Sequence, residues 1–161
     1  MPESIRINFV TGAARRHIAD VEALAAAPAR LEAAIAGRTA EWLRTPAPDG
    51  GWSPARTIGH MIAYARQTHE NLYRMAWMTD PVLKSTDDAG EAERNSWEAR
   101  DQSRLVEWFS ESIAETVELL KELPDSSWGR PGQSPIAGRE SIRQRVRRAV
   151  RHFDEHIAQL E

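Results

Sequence analysis

The chain has 161 residues, of which 41% are hydrophobic and 28% charged, and its net charge is -3. These values predict a single globular domain over residues 1–161 and argue against general nucleic-acid binding. A sequence without cysteine excludes disulfides, thiolate ligands and a cysteine nucleophile. No apolar run approaches the ~20 residues of a membrane-spanning helix. The first residues lack the basic start and apolar core of a signal peptide, so we expect a cytoplasmic protein.

The first two predicted helices are separated by the strongest break in the sequence. Residues 13–36 are rich in Ala, Leu and Glu and predict a helix that Pro28 kinks or divides. The Pro- and Gly-rich stretch 45–51 then predicts a loop. The second helix, over residues 53–78, opens with a serine at the N-cap and a proline at the first helical position.

The second half of the chain predicts two further helices. Residues 80–95 are polar and predict a loop. Apolar residues recur at helical spacing over residues 96–123, and Pro124 ends this third helix. The fourth helix, 140–160, follows a stretch rich in Gly, Pro and Ser. Because strand-like alternation is scarce, four helices with polar connections predict an all-α four-helix bundle.

Two histidines lie one turn apart on the fourth predicted helix. His152 and His156 are four residues apart, so both imidazoles can reach one ion. By helical geometry, His156 lies roughly 55° and His152 roughly 95° from the middle of the apolar stripe, where residues that line a cleft are expected. Two partly exposed histidines on a basic helix are the simpler interpretation of the pair alone. A metal site therefore requires a third ligand.

The second helix offers His60 as the third ligand. Periodicity counts against it, because His60 falls roughly 145° from the centre of that helix's apolar face. Its stacked neighbours, however, include Tyr64 and Gln67, which belong to an uncharged polar strip that suits a pocket wall. Gln159 lies near the His152 edge of the fourth helix. We expect Tyr64, Gln67 and Gln159 either to line a pocket or to have a routine role in helix packing.

The positions of the histidines constrain the topology. His60 lies near the start of the second helix, whereas His152 and His156 lie near the end of the fourth. They can meet only if these helices are antiparallel, which requires the second and third helices to run parallel. Residues 80–95 permit this, since about sixteen residues extend to roughly 50 Å and a helix of about 25 residues is roughly 38 Å long. The sequence thus predicts an up-down-down-up bundle with a long crossover between helices 2 and 3.

The motifs resemble a known family. They are W-S-P-x5-H at 52–60, D-P at 80–81, and H-x3-H at 152–156 followed by Q-L. Their order and spacing resemble the DinB-like family of damage-inducible-type metalloenzymes, and the likeness in layout covers nearly the whole chain. The resemblance implies a four-helix bundle with the same crossover. It also implies a three-histidine metal site at His60, His152 and His156.

Three imidazoles and no cysteine suit Zn, Ni, Fe or Cu, and we expect Zn or Ni. Three protein ligands leave a position for water, which is typical of catalytic rather than structural sites. The resemblance implies a transferase that activates a low-molecular-weight thiol, and hydrolysis of a small amide or ester by activated water is equally consistent. The sequence identifies no further catalytic residue. The alternative is a non-catalytic metal-binding or interaction bundle, which we expect to be a homodimer.

Two other features receive structural interpretations. The arginine-rich stretch 143–151 has no interleaved aromatic residues, so we expect it to pair with acids of the third helix or to face solvent rather than to bind nucleic acid. His17 and His69 have no partners at ligand spacing and are expected at the surface or in packing. Asp154 and Glu155 are expected to be solvated charges.

Overall fold

The computed structural model describes residues 14–161; the predicted start of the first helix at Ala13 therefore lies outside the described residues. The described part is mostly helical, as predicted. Its α-helices are α1 (Ile18–Ala25), α2 (Ala27–Ile35), α3 (Ala40–Arg44), α4 (Pro54–Trp77), α5 (Asp88–Asn95), α6 (Gln102–Glu122) and α7 (Ile142–Leu160). An antiparallel hairpin of β1 (Pro131–Ser134) and β2 (Gly138–Ser141) precedes α7.

Side-chain caps fix where the long helices begin. The Ser53 side chain accepts a hydrogen bond from the backbone N–H of Arg56 at the start of α4, and Pro54 occupies the first helical position. A complete capping box starts α7, with Ser141 and Gln144 each accepting from the other's backbone N–H. These starts set the rotation of both helices and thereby the direction of every later side chain on them.

The core lies between four long helical segments. α4 packs against α6 and α7, and α1 and α2 pack against the same two helices. The largest fully buried side chains include Trp97, Trp128, Phe109, Phe153, Leu24, Leu31, Ile58 and Met61. Contacts between α4 and α7 follow opposite chain directions, because His60 meets His152 whereas Thr68 meets Arg145. The start of α4 therefore lies beside the end of α7.

Gly59 allows the α5–α6 connection to pack directly on α4. A Cβ atom at this position would lie 2.2 Å from Cγ of Trp97, far inside contact distance. Trp97 is 2% exposed and follows α5 in the chain. Because Gly59 has no side chain, the indole of Trp97 can pack against α4 at the residue that precedes His60.

The first and second predicted helices match the structure closely. The first is divided as expected, but the break is at Ala26 rather than at the proline, because Pro28 fits the first turn of α2. α4 ends at Trp77, one residue before the predicted limit. The predicted loop at 45–51 lies between α3 and α4.

The connection between α4 and α6 differs from the prediction. Residues 88–95 form α5 rather than a loop, because the side chain of Asp87 caps the helix by accepting from a backbone N–H. The third long helix begins at Gln102 rather than near residue 96. Ser96 has a φ of 50°, which an α-helix cannot accommodate, and Asp101 supplies the cap that starts α6.

The hairpin was not predicted from the sequence. Its two strands have four residues each, too few for apolar alternation to stand out. Gly138, with a φ of +72°, lies at the turn, and Val82 forms a parallel bridge to Gln133 of β1. As a result, α7 begins at Ile142, two residues after the predicted start. Among the described residues, no helix is both long enough and apolar enough to span a membrane.

Candidate metal centre

Three histidines from two helices converge at one end of the bundle. His60 lies in the second turn of α4, and His152 and His156 lie in the last turns of α7. One ring nitrogen from each lies within 4.8 Å of the other two, and all three residues are half-buried. Nε2 of His60 is 2.9 Å from Nε2 of His152. The structure thus brings together all three residues that the sequence predicts as ligands.

Asp88 of α5 holds the ring of His60. Its Oδ1 atom lies 2.6 Å from Nδ1 of His60, and the His60 side chain is 11% exposed. Because an ionised carboxylate can only accept, Nδ1 carries the proton and Nε2 faces the other imidazoles with its lone pair. Carboxylates in this position orient the imidazoles of metal sites and raise their basicity. The sequence analysis missed Asp88, since it lies in a polar segment without a distinguishing pattern.

Gln159 has the same relationship to His156. Nδ1 of His156 lies 3.0 Å from Oε1 of Gln159, three residues further along α7. The amide oxygen accepts the Nδ1 proton, which leaves Nε2 of His156 as the nitrogen with a lone pair. Gln159 therefore contacts a histidine ring of the site, and its pocket-lining role stays a prediction.

Tyr64 packs against the remaining histidine. Its ring stacks on that of His152 with centroids 4.0 Å apart and an angle of 29° between the planes. Phe153 meets the ring of Tyr64 edge-on at 5.6 Å. Tyr64 is 8% exposed, so it is part of the wall behind His152 rather than of an open surface.

Burial keeps the imidazoles of His152 and His156 neutral. Burial, followed by the neighbouring charges of His156, His60 and Arg148, lowers the pKa of His152 to about 4. Burial also lowers the pKa of His156, against a smaller opposing contribution from its hydrogen bond to Gln159. At neutral pH both rings are therefore in the form that binds a cation.

A buried ionic network contacts Tyr64, the residue that stacks on His152. Glu140 of β2 is 5% exposed and accepts from Arg148, with Nη2 to Oε1 at 2.8 Å and Nε to Oε2 at 3.1 Å. Nη1 of Arg145 lies 3.4 Å from the same carboxylate. Nη1 of Arg148 is 3.5 Å from the hydroxyl of Tyr64, so the network reaches the ring that stacks on His152.

The arginines of α7 therefore have partners other than those predicted. Nε of Arg147 lies 3.0 Å from Asp20 of α1, and Nε of Arg143 lies 3.9 Å from the same carboxylate. Together with the pairs at Glu140, these contacts lie on α1 and β2 rather than on the third long helix. The expectation of acidic partners on that helix was wrong for Arg145 and Arg148, because β2 packs against α7 and supplies Glu140. Arg143 and Arg147 are exposed, in line with the alternative of facing solvent.

The other residues singled out from the sequence lie away from the three rings. Nε2 of Gln67 lies 3.5 Å from both Glu70 and Asn71, so its pocket-lining role stays a prediction. His69 is half-buried. His17 is a packing residue, as expected: it is 1% exposed and stacks on Trp128 with centroids 4.2 Å apart.

The donor set fits a divalent transition metal. Three imidazole nitrogens converge, two of their Nδ1 atoms are held by acceptors, and the pKa values of His152 and His156 are lowered. His60, His152 and His156 would hold such an ion, since imidazole nitrogens are common ligands of zinc and related metals. The structure thus defines a class: a helical-bundle protein with a candidate three-histidine metal centre.

The chain belongs to the DinB superfamily, whose family model matches residues 23–160. The solved structure of YfiT from Bacillus subtilis is similar, with a TM-score of 0.80 and 22% sequence identity over 88% of this chain and 82% of that chain. YfiT is described as a probable metal-dependent hydrolase with an unusual four-helix bundle topology. The likeness shows a shared four-helix-bundle fold. A search of curated proteins found no match.

Proposed function

We propose that this chain is a metal-dependent enzyme that acts on a small molecule, with His60, His152 and His156 as the ligands of a divalent ion. The observation that carries the proposal is the convergence of three imidazoles, one nitrogen from each lying within 4.8 Å of the others. Converging imidazole nitrogens are common ligands of divalent transition metals. We expect Zn or Ni.

Two residues prepare the ligands. Asp88 accepts a hydrogen bond from Nδ1 of His60, and Gln159 accepts one from Nδ1 of His156. Each contact fixes the tautomer and ring orientation that present Nε2. Tyr64 restrains the third ring, His152, by stacking. These groups act on the ligands, and we assign them positioning roles.

Hydrolysis is the activity that the comparisons favour. When bound, a divalent ion lowers the pKa of a water or thiol and so supplies a nucleophile near neutral pH. YfiT, which shares the fold, is described as a probable metal-dependent hydrolase. Transfer from a low-molecular-weight thiol is the second candidate, as the family resemblance implies. This chain has no cysteine, so the thiol would come from a cosubstrate.

An open cleft beside the histidines favours an enzyme over the non-catalytic bundle. His156 and Gln159 form part of the wall of this cleft, whereas a purely structural ion is usually enclosed by its ligands. We also propose the up-down-down-up arrangement, supported by the opposite order of contacts along α4 and α7. A single domain over 1–161, cytoplasmic location and a homodimer stay predictions from the sequence.

Elemental analysis of tag-free protein tests the metal centre. We expect close to one equivalent of a divalent transition metal in the wild type and almost none in His152→Ala. The matched control is His69→Ala, which removes a histidine of α4 outside the centre and should leave the metal content unchanged. Wild-type protein that carries no metal and also fails to bind added Zn or Ni would contradict the proposal.

The loaded protein can then be screened for both reactions. Small esters and amides test hydrolysis, and electrophiles offered with a low-molecular-weight thiol test transfer. Activity that requires the metal and disappears in His152→Ala supports the enzyme. Stoichiometric metal with neither activity supports the non-catalytic alternative.

A further inference from the structure

A large cleft opens next to the three histidines. It has a volume of about 920 Å³ and lies between the loop that joins α3 to α4 and the C-terminal end of α7. Small-molecule sites typically measure about 300–1,000 Å³. Since His156 lines the cleft, a molecule bound there lies against one of the three rings.

The walls of the cleft are aromatic. Trp52 is 44% exposed although its ring lies only 5.3 Å from that of His60, and Trp42 lines the cleft as well. Each indole has a guanidinium group over its ring, from Arg56 at 5.2 Å on Trp52 and from Arg38 at 5.0 Å on Trp42. These cation–π contacts hold the indoles in place. The cleft therefore offers flat apolar surfaces to a ligand.

The loop side of the cleft is conformationally restricted. Pro46, Pro48 and Pro54 line it, and each proline fixes its own φ angle. Oδ1 of Asp49 accepts from the backbone N–H of Gly51 at 2.9 Å, which closes a turn between two of the prolines. Because this loop is already restricted, little conformational entropy is lost when a ligand binds against it.

The charges in the cleft do not select an anion. Its cation, Arg38, donates to the backbone oxygen of Glu161 at 2.9 Å, and the carboxylates of Asp49 and Glu161 also line the cleft. Arg56, over the ring of Trp52, adds a second cation, so two guanidinium groups face two carboxylates and leave no excess positive charge. Uncharged polar groups, on Thr57 and Gln159, lie at the cleft as well.

We propose that the cleft binds an uncharged molecule with a planar aromatic body, whose polar group lies at His156. The identification of the cleft as a substrate site rests on the proposed function, but binding itself does not require the metal. The comparison of ligand classes therefore uses protein from which a chelator has removed the metal.

Binding of 2-naphthamide, measured by ligand-observed NMR titration, tests the proposal. We expect Trp52→Ala to weaken binding by ~10-fold or more, as is usual when an aromatic stacking partner is lost. The matched control is Trp77→Ala, because Trp77 is 66% exposed at the far end of α4. This variant should bind within ~2-fold of the wild type, since no stacking partner is removed.

A charged analogue tests the assigned ligand class. In wild-type protein stripped of metal by a chelator, where a carboxylate has no ion to bind, 2-naphthamide should bind more tightly than 2-naphthoate. Equal binding by the Trp52 and Trp77 variants, absence of 2-naphthamide binding, or tighter binding of 2-naphthoate would each overturn the inference. Wild type that carries no metal and takes up no added Zn or Ni, yet still binds 2-naphthamide through Trp52, would overturn the proposed function and support the cleft.

Discussion

Nδ1 of His60 lies 2.6 Å from Oδ1 of Asp88, which joins the connection between α4 and α6 to the candidate metal centre. The carboxylate is 34% exposed, whereas the imidazole is 11% exposed. A charged hydrogen bond of this length at the edge of the protein orients the ring more strongly than packing alone. The segment between α4 and α6 therefore contributes a side chain to the candidate site as well as joining two helices.

Removal of Asp88 should weaken metal binding. We expect Asp88→Ala to lower the affinity for Zn by ~10–100-fold, because the Nδ1 proton loses its acceptor and the ring its orientation. Asp88→Asn keeps an acceptor but not the charge, so its loss should be smaller. Competition with a chromogenic chelator measures both affinities.

The control for this prediction is Glu155→Gln, which removes an exposed carboxylate next to His156 in the chain. If this variant weakens Zn binding as much as Asp88→Ala does, the loss of affinity reflects the removal of any nearby negative charge rather than of the Asp88–His60 contact. Unchanged affinity in Asp88→Ala would show that the contact has no role in metal binding.

The sequence predicted the three histidines of the candidate site and named Tyr64 and Gln159 as candidates beside them, but it did not predict Asp88. His152 and His156 lie on a helix whose single apolar stripe is easy to recognise. His60 looked unfavourable because α4 is buried on more than one side: Tyr64 and Thr68 face α7 outside the apolar stripe. Residues of α4 that face α7 are therefore predicted to be exposed when a single apolar stripe is taken as the whole buried surface of the helix.

Asp88 and Glu140 could not be recognised because their surroundings are formed by tertiary contacts. α5 has no buried residues, and β2 is four residues long, so neither shows a periodic pattern. Asp88 is placed at His60 because the connection between α4 and α6 packs on α4, including Trp97 against Gly59. Such positions depend on residues distant in the chain, which local spacing does not report.

Gly59→Ala should destabilise the protein although alanine is the better helix former. Alanine favours a helix interior by ~1 kcal/mol over glycine, whereas an overpacked core costs about 1–3 kcal/mol. The added Cβ would lie 2.2 Å from the buried Trp97, which puts the overpacking at the upper end of this range, and we expect a net loss of about 2 kcal/mol in the free energy of unfolding.

Denaturant unfolding measures this loss, with Gly129→Ala as the control. A Cβ at Gly129 meets nothing within 4 Å, and this variant should stay within about 0.5 kcal/mol of the wild type. A Gly59→Ala protein as stable as the wild type would mean that Trp97 can shift without cost.

Glu140→Gln should destabilise the protein far more than loss of a surface carboxylate. The change leaves the guanidinium of Arg145, a residue 5% exposed, and that of Arg148 without a carboxylate. Breaking a buried pair costs roughly 3–5 kcal/mol, and we expect about 3 kcal/mol because glutamine still accepts one hydrogen bond. Glu118→Gln, at a side chain 69% exposed and paired with Lys121, should cost under about 1 kcal/mol.

Chemical denaturation of both glutamine variants and of Glu140→Gln/Arg145→Met decides the cause. If uncompensated positive charge dominates, removal of the Arg145 cation should restore part of the lost stability. Equal losses in the Glu140 and Glu118 variants would show that burial adds nothing to this network.

The stability of the protein should fall as the pH drops below 6.5, in part through His17. Nε2 of His17 lies 2.8 Å from Oδ1 of Asp125, and Nδ1 is buried without a hydrogen-bond partner. Protonation would add an N–H donor at the buried Nδ1 atom, where no group accepts it. Burial lowers the pKa of His17 below its ordinary value of 6.5. A lowered histidine pKa means that the unfolded chain binds the proton more tightly. The contribution of His17 is therefore complete above pH 6.5 and is lost as the pH falls toward its folded pKa.

His17→Phe separates this contribution from that of other histidines. Phenylalanine keeps a ring against Trp128, where the histidine stacks at 4.2 Å, but it does not titrate. We expect the difference in unfolding free energy between wild type and variant, both metal-free, to shift in favour of the variant from pH 7.5 to pH 5. Histidines common to both proteins cancel in this difference. A difference that is constant across the range would show that His17 has the same pKa in the folded and unfolded chains.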